Sequence, residues 1–501
     1  MKNSLSRILT VGAMVLAGLV GFGTAADKPN VLFIFADDQC FETIRELGNL
    51  EIETPNLDRL VKRGTTFTHA YNMGSWSGAV CVASRHMLNT GVFLWHAEKE
   101  ANAFGGKAKK PKKGEAAVEP VTPDEPNFQE RNQMWSQLMS AAGYKTYFTG
   151  KWHVKANAEE IFDVTGNVRG GMPAQTPDGY NRPLPGEADP WDPADPKFGG
   201  FWEGGKHWSE VVGDKATGFL ESAAKEDDPF FMYIAFNAPH DPRQAPQEFV
   251  DMYPVEQLKV PVNFVPEYPY NEDMKSGRTL RDEKLAPFPR TVRSVKVHRQ
   301  EYYAIITHMD QEIGRILDAL DASGKADDTY IFYSADHGLA VGQHGLMGKQ
   351  NMFDHSMRVP LIVAGPGIEG GKKIEGAVYL QDIMASVLEL GTGEVPEHVQ
   401  FKSLMPVLKG ERDGNYDAVY GAYLDGQRAV IEDGYKLILY PQVPVALLFN
   451  LEKDPAETKD LAEKKGQQKR MQSMFQTLLE LQKETGDELD LKGVYPDLAG
   501  E

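Results

Sequence analysis

The chain has 501 residues, 41% of them hydrophobic and 10% aromatic, and a formal net charge of −19. A length well past the ~250–300 residues at which one hydrophobic core stops growing calls for a large domain plus a second one. The acid excess excludes a general nucleic-acid binder, because the field of the surface repels a polyanion; a local cluster of Lys, Arg and His around a cation can still hold one small anion.

Residues 1–26 set Lys2 and Arg7 ahead of an apolar run from Ile8 to about Gly23, with small residues ending at Ala26. This three-part build predicts a secretory signal peptide cleaved near Ala26, the run being shorter than the ~20 residues of a membrane span. An uncleaved anchor is the alternative. No other stretch is apolar enough to cross a bilayer, so an exported protein, periplasmic or extracellular and without stable membrane insertion, is expected.

NVLFIFADD (30–38) is a continuous apolar run ending in two carboxylates, the pattern of a buried strand in a parallel sheet with ligands at its carboxyl end. TPNLDRLVKRG (54–64) opens a helix with a Thr cap and Pro in the first turn. Residues 97–127 include a Lys-, Pro- and Glu-rich stretch that cannot bury enough apolar area to order itself and reads as a solvated insertion. Further strands are expected at 145–150, 230–240, 329–338 and 359–367, with a helix over Tyr302–Leu320. Residues 163–208, rich in Gly, Pro and aromatics, read as a long substrate loop. There Trp191, Trp202 and Trp208 either form a sugar-stacking wall or pack the loop onto the body.

Strands alternating with helices make an α/β sandwich around a large, mostly parallel sheet. After Gly410 the pattern changes to antiparallel strands, with turns at Asp425-Gly426 and Asp433-Gly434, and then a terminal amphipathic helix. The chain divides on this reading into a large α/β domain, 27–410, and a smaller α+β domain, 411–501.

The chemistry gathers at strand ends. Asp37 and Asp38 end one strand, and Asp336 with His337 end another, so four ligands converge at one sheet edge. Desolvated like charges there call for a divalent cation, and a mainly oxygen donor set favours Ca²⁺ or Mg²⁺ over zinc. GKWH (150–153) offers Lys151 and His153, NAPHDPR (237–243) offers His240, and GLMGKQNMFDH (345–355) offers Lys349. CVASRHMLNTG (81–91) holds Cys81 and, four residues on, Arg85. With Cys40 it supplies the only two cysteines, which in an oxidising compartment admit one disulfide.

With TTFTHAY, MDQEIGRIL, SADHG, SMRVPLIVAGPG and LFNLEKDPAETKDL, these motifs stand in order from about residue 29 to 461, and the chain resembles the formylglycine-dependent sulfatase family. The resemblance implies the alkaline-phosphatase-like α/β sandwich with a smaller C-terminal domain, and hydrolysis of sulfate monoesters. It implies that a formylglycine-generating or anaerobic sulfatase-maturating enzyme oxidises Cys81 to formylglycine (3-oxoalanine). The hydrated aldehyde is then both nucleophile and metal ligand, and Asp37, Asp38, Asp336 and His337 complete the cation site. Arg85 holds the formylglycine hydroxyl, while Lys151 and Lys349 neutralise sulfate oxygens. His153 is the base that breaks down the intermediate, and His240 the acid that protonates the leaving alcohol. Many members have Asn where His337 stands, which leaves the metal's identity open. Ala83 stands where the commonest motif has Pro, a change the family tolerates. On this reading a Cys40–Cys81 disulfide is not expected.

YNMGSWSGAVC and GVFLWHAE further resemble the polysaccharide-active branch of bacterial sulfatases, which implies a sulfated carbohydrate as substrate. The candidate sugar contacts are Trp76, His86, His96, Asn181, Arg182, His207, Gln427 and Arg428. The two arginines suit a second anionic group, a uronate or another sulfate. The rival readings are a phosphonate or phosphate ester hydrolase of the same fold, and a non-catalytic sulfoglycan binder in which Cys81 stays a thiol.

Overall fold

The computed structural model describes residues 28–104, 126–173 and 176–500. The expected leader and residues 105–125 of the Lys-rich stretch lie outside the described residues; the start of that stretch belongs to a helix, Leu94–Ala103. The Asn30–Ala36 strand has all seven side chains buried and runs inside a nine-stranded sheet. Side by side lie Thr329–Ala335, Asn30–Ala36, Phe230–Ala235, Lys145–Lys151 and Val164–Arg169, every adjacent pair parallel. Strands covered on both faces read as unbroken apolar runs, which is why the first four of these were visible in the sequence and the half-buried edge strand Val164–Arg169 was not. Arg358–Ala364 departs from that direction: it is antiparallel both to Thr329–Ala335 and to Thr65–Tyr71 on its other side.

Two helices show where local pattern and tertiary context part. Val292–Ala322 begins well before Tyr302, because Thr291 and Ser294 cap it reciprocally, each side-chain oxygen accepting the other's backbone N–H. Pro55–Arg63 forms as expected, but its cap is not Thr54, whose hydroxyl donates to Asp58 instead. The first-turn N–H groups of Asn56 and Leu57 donate to the carboxylate of Asp310, at 3.0 and 2.7 Å, from the middle of the Val292–Ala322 helix.

Residues 163–208 are more ordered than a long loop. They begin with the edge strand Val164–Arg169 and end in a hairpin of Trp202–Glu203 and Lys206–His207. Trp191 stacks on Phe198, and Trp208 lies under the Arg169 guanidinium at 3.6 Å from the ring centre. Both tryptophans therefore pack the segment onto the body rather than face solvent as a sugar wall.

The second sheet has the order Val445–Asn450, Tyr435–Tyr440, Gln427–Glu432, Ala418–Tyr423, all antiparallel. Asp433 and Gly434 both have positive φ, 50° and 71°, as a two-residue hairpin turn requires. A fifth strand comes from far upstream: Gly74–Ser75 pairs parallel with Ala422 and Tyr423. Gly74 has φ 93°, and a Cβ there would stand 1.9 Å from the Ala422 carbonyl oxygen. The expected terminal helix, Gln468–Thr485, packs on this sheet.

Candidate active site

In the parallel register Ala36 lies opposite Ala335, so the residues that follow each strand, Asp37-Asp38 and Asp336-His337, emerge side by side. The chain turns sharply here, Asp38 having φ 71°. The Tyr302 hydroxyl fastens the turn, donating to the Asp38 carbonyl at 2.6 Å and accepting the Cys40 N–H at 2.9 Å. Asp38 N–H also donates to Asp336 Oδ1 at 3.1 Å, joining the two strand ends.

Cys81 arrives from the other side. After Gly74–Ser75, the hydroxyls of Ser75 and Ser77 each bond the backbone two residues on, and the Val80–Thr90 helix begins with Cys81 in its first turn. Its Sγ lies 3.3 Å from His337 Nε2 and 3.8 Å from Asp38 Oδ1. Cys40 and Cys81 are both buried and free, so no disulfide joins them. Burial pushes the Cys40 thiol up, and it packs as a small apolar residue.

Three cations and two further histidines close on this centre. Arg85, one turn after Cys81, donates from Nε to Asp336 at 2.9 Å and from Nη1 to the Lys151 carbonyl at 2.6 Å. Lys151 Nζ meets Asp37 at 2.5 Å, and Lys349 Nζ meets Asp38 at 2.6 Å. Gly150, φ 109°, lets the Lys151 strand end approach its neighbour: a Cβ there would stand 1.7 Å from the Ala235 carbonyl oxygen. His153, φ 54°, stands near Cys81 and keeps a buried Nδ1 without a partner. His240 donates from Nδ1 to the Asp241 carbonyl at 2.8 Å, and its Nε2 accepts from Lys349 at 2.8 Å.

The electrostatics follow from crowding in a dry place. Burial and the neighbouring Asp336 hold the Asp37 carboxyl well above the usual carboxylate range, against the pull of Lys151. Burial opposes the Cys81 thiolate, but Lys151, Lys349 and His337 outweigh it and bring the group well below an ordinary thiol. Burial likewise opposes a charged His337, yet Asp336 and Asp38 raise it to about 9. For His153, desolvation wins over the pull of Cys81 and the imidazole is held below its ordinary value.

These residues fit a hard divalent cation. Donor atoms of Asp37, Asp38, Cys81, Asp336 and His337 all lie within 4.8 Å of one another, and the buried Asp37 Oδ1 has no hydrogen-bond partner. His337 bonds the Gly338 carbonyl through Nδ1, which leaves Nε2 facing the carboxylates as a ligand atom.

Most of the proposed sugar contacts are engaged elsewhere. Arg182 is paired with Asp189 at 2.8 Å and with Glu301 at 3.0 Å, and Arg428 binds Asp487 through two bonds of 2.6 and 2.7 Å. Neither guanidinium is free for a second anion, which corrects that expectation. His207 caps the Trp208–Ala223 helix and is buried, while Gln427 donates to the carbonyls of Met274 and Gln350. His86 is buried between the Val82 carbonyl and the Lys155 N–H. His96 bonds Gln400, and Asn181 is exposed. Trp76 is half-buried and lines a groove with Trp95 and Arg428.

Sequence reasoning missed the residues behind His240. Arg281 donates to His240 Nε2 at 3.0 Å and pairs with Asp282 at 2.8 Å and Asp241 at 3.3 Å. Lys349 and Arg281 overcome burial to bring the Asp282 carboxyl down to about 2. Asp241 lies inside the NAPHDPR motif and is open to notice; Arg281 and Asp282 sit at the start of a short 3-10 helix, Asp282–Leu285, in a charged stretch without periodicity.

Comparison with known proteins agrees with this geometry. The sulfatase family model matches residues 29–393, and that of the N-sulphoglucosamine sulphohydrolase C-terminal region matches 342–484. An N-acetylglucosamine-6-O-sulfatase of Bacteroides thetaiotaomicron is 25% identical, over 97% of this chain and 92% of its own. A protein solved with its substrate D-glucosamine-2-N,6-O-disulfate superposes with a TM-score of 0.69 at 22% identity, covering 92% of this chain and 99% of its own. The phosphonate monoester hydrolase of Agrobacterium radiobacter superposes with a TM-score of 0.67 at 20% identity, covering 91% and 96%. The chain belongs to the sulfatase family: it is a sulfuric ester hydrolase built on the alkaline-phosphatase-like fold.

Proposed function

We propose that the protein is an exported sulfatase that removes sulfate from a carbohydrate, with formylglycine derived from Cys81 as nucleophile and a divalent cation, Ca²⁺ before Mg²⁺, as cofactor. The observation that carries this reading is the meeting of Cys81 with three buried carboxylates and His337 at one sheet edge. Asp37, Asp38, Asp336 and His337 would hold the cation, which when bound polarises the sulfate and favours the ionised nucleophile. Oxygen donors outnumber the single imidazole, which supports calcium or magnesium.

The transition state of a sulfate monoester spreads charge over its equatorial oxygens and loads it onto the leaving oxygen. Lys151 and Lys349 are buried cations whose charges reach Cys81, and they serve the equatorial charge. Arg85, locked by Asp336 and the Lys151 carbonyl, fixes the nucleophile's orientation. His240 keeps its Nδ1 proton on the Asp241 carbonyl and presents Nε2 to the leaving oxygen; Asp38 and Asp241 raise its affinity for a second proton despite burial. His153, held neutral by desolvation beside residue 81, is the base for the second half of the reaction. The carbohydrate assignment is supported by the relative that acts on N-acetylglucosamine 6-sulfate and by the disulfated glucosamine of the structural neighbour. The leader-like first 26 residues support export.

The test is mass spectrometry of the Cys81 peptide from protein co-expressed with a maturating enzyme, followed by desulfation assays on a panel of sulfated oligosaccharides. An aldehyde at position 81 with sulfate release from a sugar is expected. A persistent thiol in an active enzyme overturns the formylglycine assignment. The likeness to a phosphonate monoester hydrolase favours one second reading, so sulfate and phosphonate esters of one alcohol should be compared. Faster turnover of the phosphonate would reverse the order of the two readings.

A further inference from the structure

With Arg182 and Arg428 neutralised by their own carboxylates, a different basic pair stands beside the reacting centre. A cleft of about 410 Å³ is lined by Pro177, Tyr180, Thr279, Arg281 and Lys284. Its inner wall is shared with the active site. Arg281 Nη2 is 3.0 Å from His240 Nε2, and the Tyr180 hydroxyl donates to Asp241, whose carbonyl accepts the His240 Nδ1 proton. The two sides of the cleft are tied by backbone bonds from Asn181 to Lys284 and from Arg182 to Leu285, so the space is built rather than left between loose loops.

The charge of the cleft runs against that of the protein. Lys284 is exposed and forms no ion pair among the described residues. The Arg281 side chain is 31% exposed. Its carboxylate partners are shared inward, Asp241 with His240 and Asp282 with Lys349. On a surface of net charge −19, two cations that reach one cleft beside His240 make a local site for an anion. His240 faces the leaving oxygen in the reading above, so this anion belongs to the leaving saccharide.

We infer that the Tyr180–Thr279–Arg281–Lys284 cleft is a subsite for a second anionic substituent, a carboxylate or a further sulfate, on the leaving sugar. The substrate class is thereby a sulfated saccharide that carries another negative charge near the scissile ester. The inference rests on the carbohydrate-sulfatase reading, and its test separates the two.

Three matched disaccharide sulfates, one neutral elsewhere, one with a uronate and one with a second sulfate, are assayed alongside a small aryl sulfate. The enzymes are the wild type, Lys284→Glu, and Thr279→Trp, which fills the cleft without changing charge. An anionic substituent is expected to raise wild-type kcat/KM about tenfold, through KM, the scale of one charge-assisted contact. Both variants should lose that advantage while turning over the neutral sugar and the aryl sulfate within about twofold of wild type. The preferred anion identifies its source as uronate or sulfate. No advantage in the wild type, or equal losses on all four substrates, overturns the subsite. Calorimetric titration of the same sugars into unconverted Cys81 protein adds a readout without turnover. If no sugar sulfate is hydrolysed, the carbohydrate reading fails; the subsite fails if the anionic sugars bind no tighter than the neutral one.

Discussion

Tyr302, reaching from the middle of the Val292–Ala322 helix, donates its hydroxyl to the carbonyl of Asp38 at 2.6 Å. One phenol thereby holds the turn on which two of the cation-site carboxylates sit, and it also receives the Cys40 N–H. Tyr302→Phe removes a single oxygen and leaves two buried backbone groups unpaired, at a cost of about 1–3 kcal/mol. Turnover should fall about tenfold with a higher half-saturating Ca²⁺ concentration, since a loosened turn positions Asp37 and Asp38 poorly. A calcium titration of activity checks this; an unchanged half-saturation point would place Tyr302 outside cation binding.

The donor set around Asp37 predicts a dependence on divalent cation. Dialysis against a chelator should abolish turnover and lower the melting temperature, with both restored by Ca²⁺ or Mg²⁺, because an ion bound only by the folded state stabilises it by an amount that grows with the logarithm of its concentration. Asp37→Asn removes a charge from the set and should demand more cation for the same rate. Full turnover after chelation contradicts the assignment.

Asp310 acts at a distance from the chemistry. Its carboxylate accepts the N–H groups of Asn56 and Leu57, and so supplies the cap that Thr54 does not. Asp310→Ala should cost about 1–2 kcal/mol in urea unfolding, the usual loss of an N-terminal cap. Activity per folded molecule should stay unchanged, and a selective loss of kcat would give Asp310 a different role.

His86 sets an acid limit to stability. Its Nδ1 donates to the Val82 carbonyl and its Nε2 accepts the Lys155 N–H, so the fold holds the neutral ring, and burial lowers the group to about 4. An unfolded histidine titrates near 6.5, so between about pH 6.5 and 4 the unfolded chain takes up a proton that the folded chain refuses. The stability present above that window is lost as pH falls through it, on the order of 3 kcal/mol from this residue. The urea midpoint should drop across the window, and drop less in His86→Gln. Identical pH slopes in the two proteins refute the account.

The strand ends and their ligands were legible in the sequence because a buried parallel strand writes itself as an apolar run, and a charged residue at its end stands out. Asp37, Asp38, Asp336 and His337 meet where that rule puts them. The roles of arginines were not legible. Arg182 and Arg428 are close in type to Arg281, yet only the fold gives the first two their carboxylates, from Glu301 and Asp487, and places the third against His240. Ion pairs between segments far apart in the chain leave no local pattern, and the same holds for Asp310 displacing Thr54. The tryptophans of 163–208 show the opposite limit: an aromatic reads alike in sequence whether it faces a sugar or, as with Trp208, an arginine from its own segment.

The short pairing of Gly74–Ser75 with Ala422 and Tyr423 also orders events in time. The segment that leads into the Cys81 helix finds its sheet partner only after most of the chain has been synthesised. Until then the nascent chain lacks the strand that seats it. In the finished fold Cys81 is 2% exposed, out of reach of another protein's active site. Any enzyme that modifies this cysteine therefore works against a clock that stops when the C-terminal sheet closes.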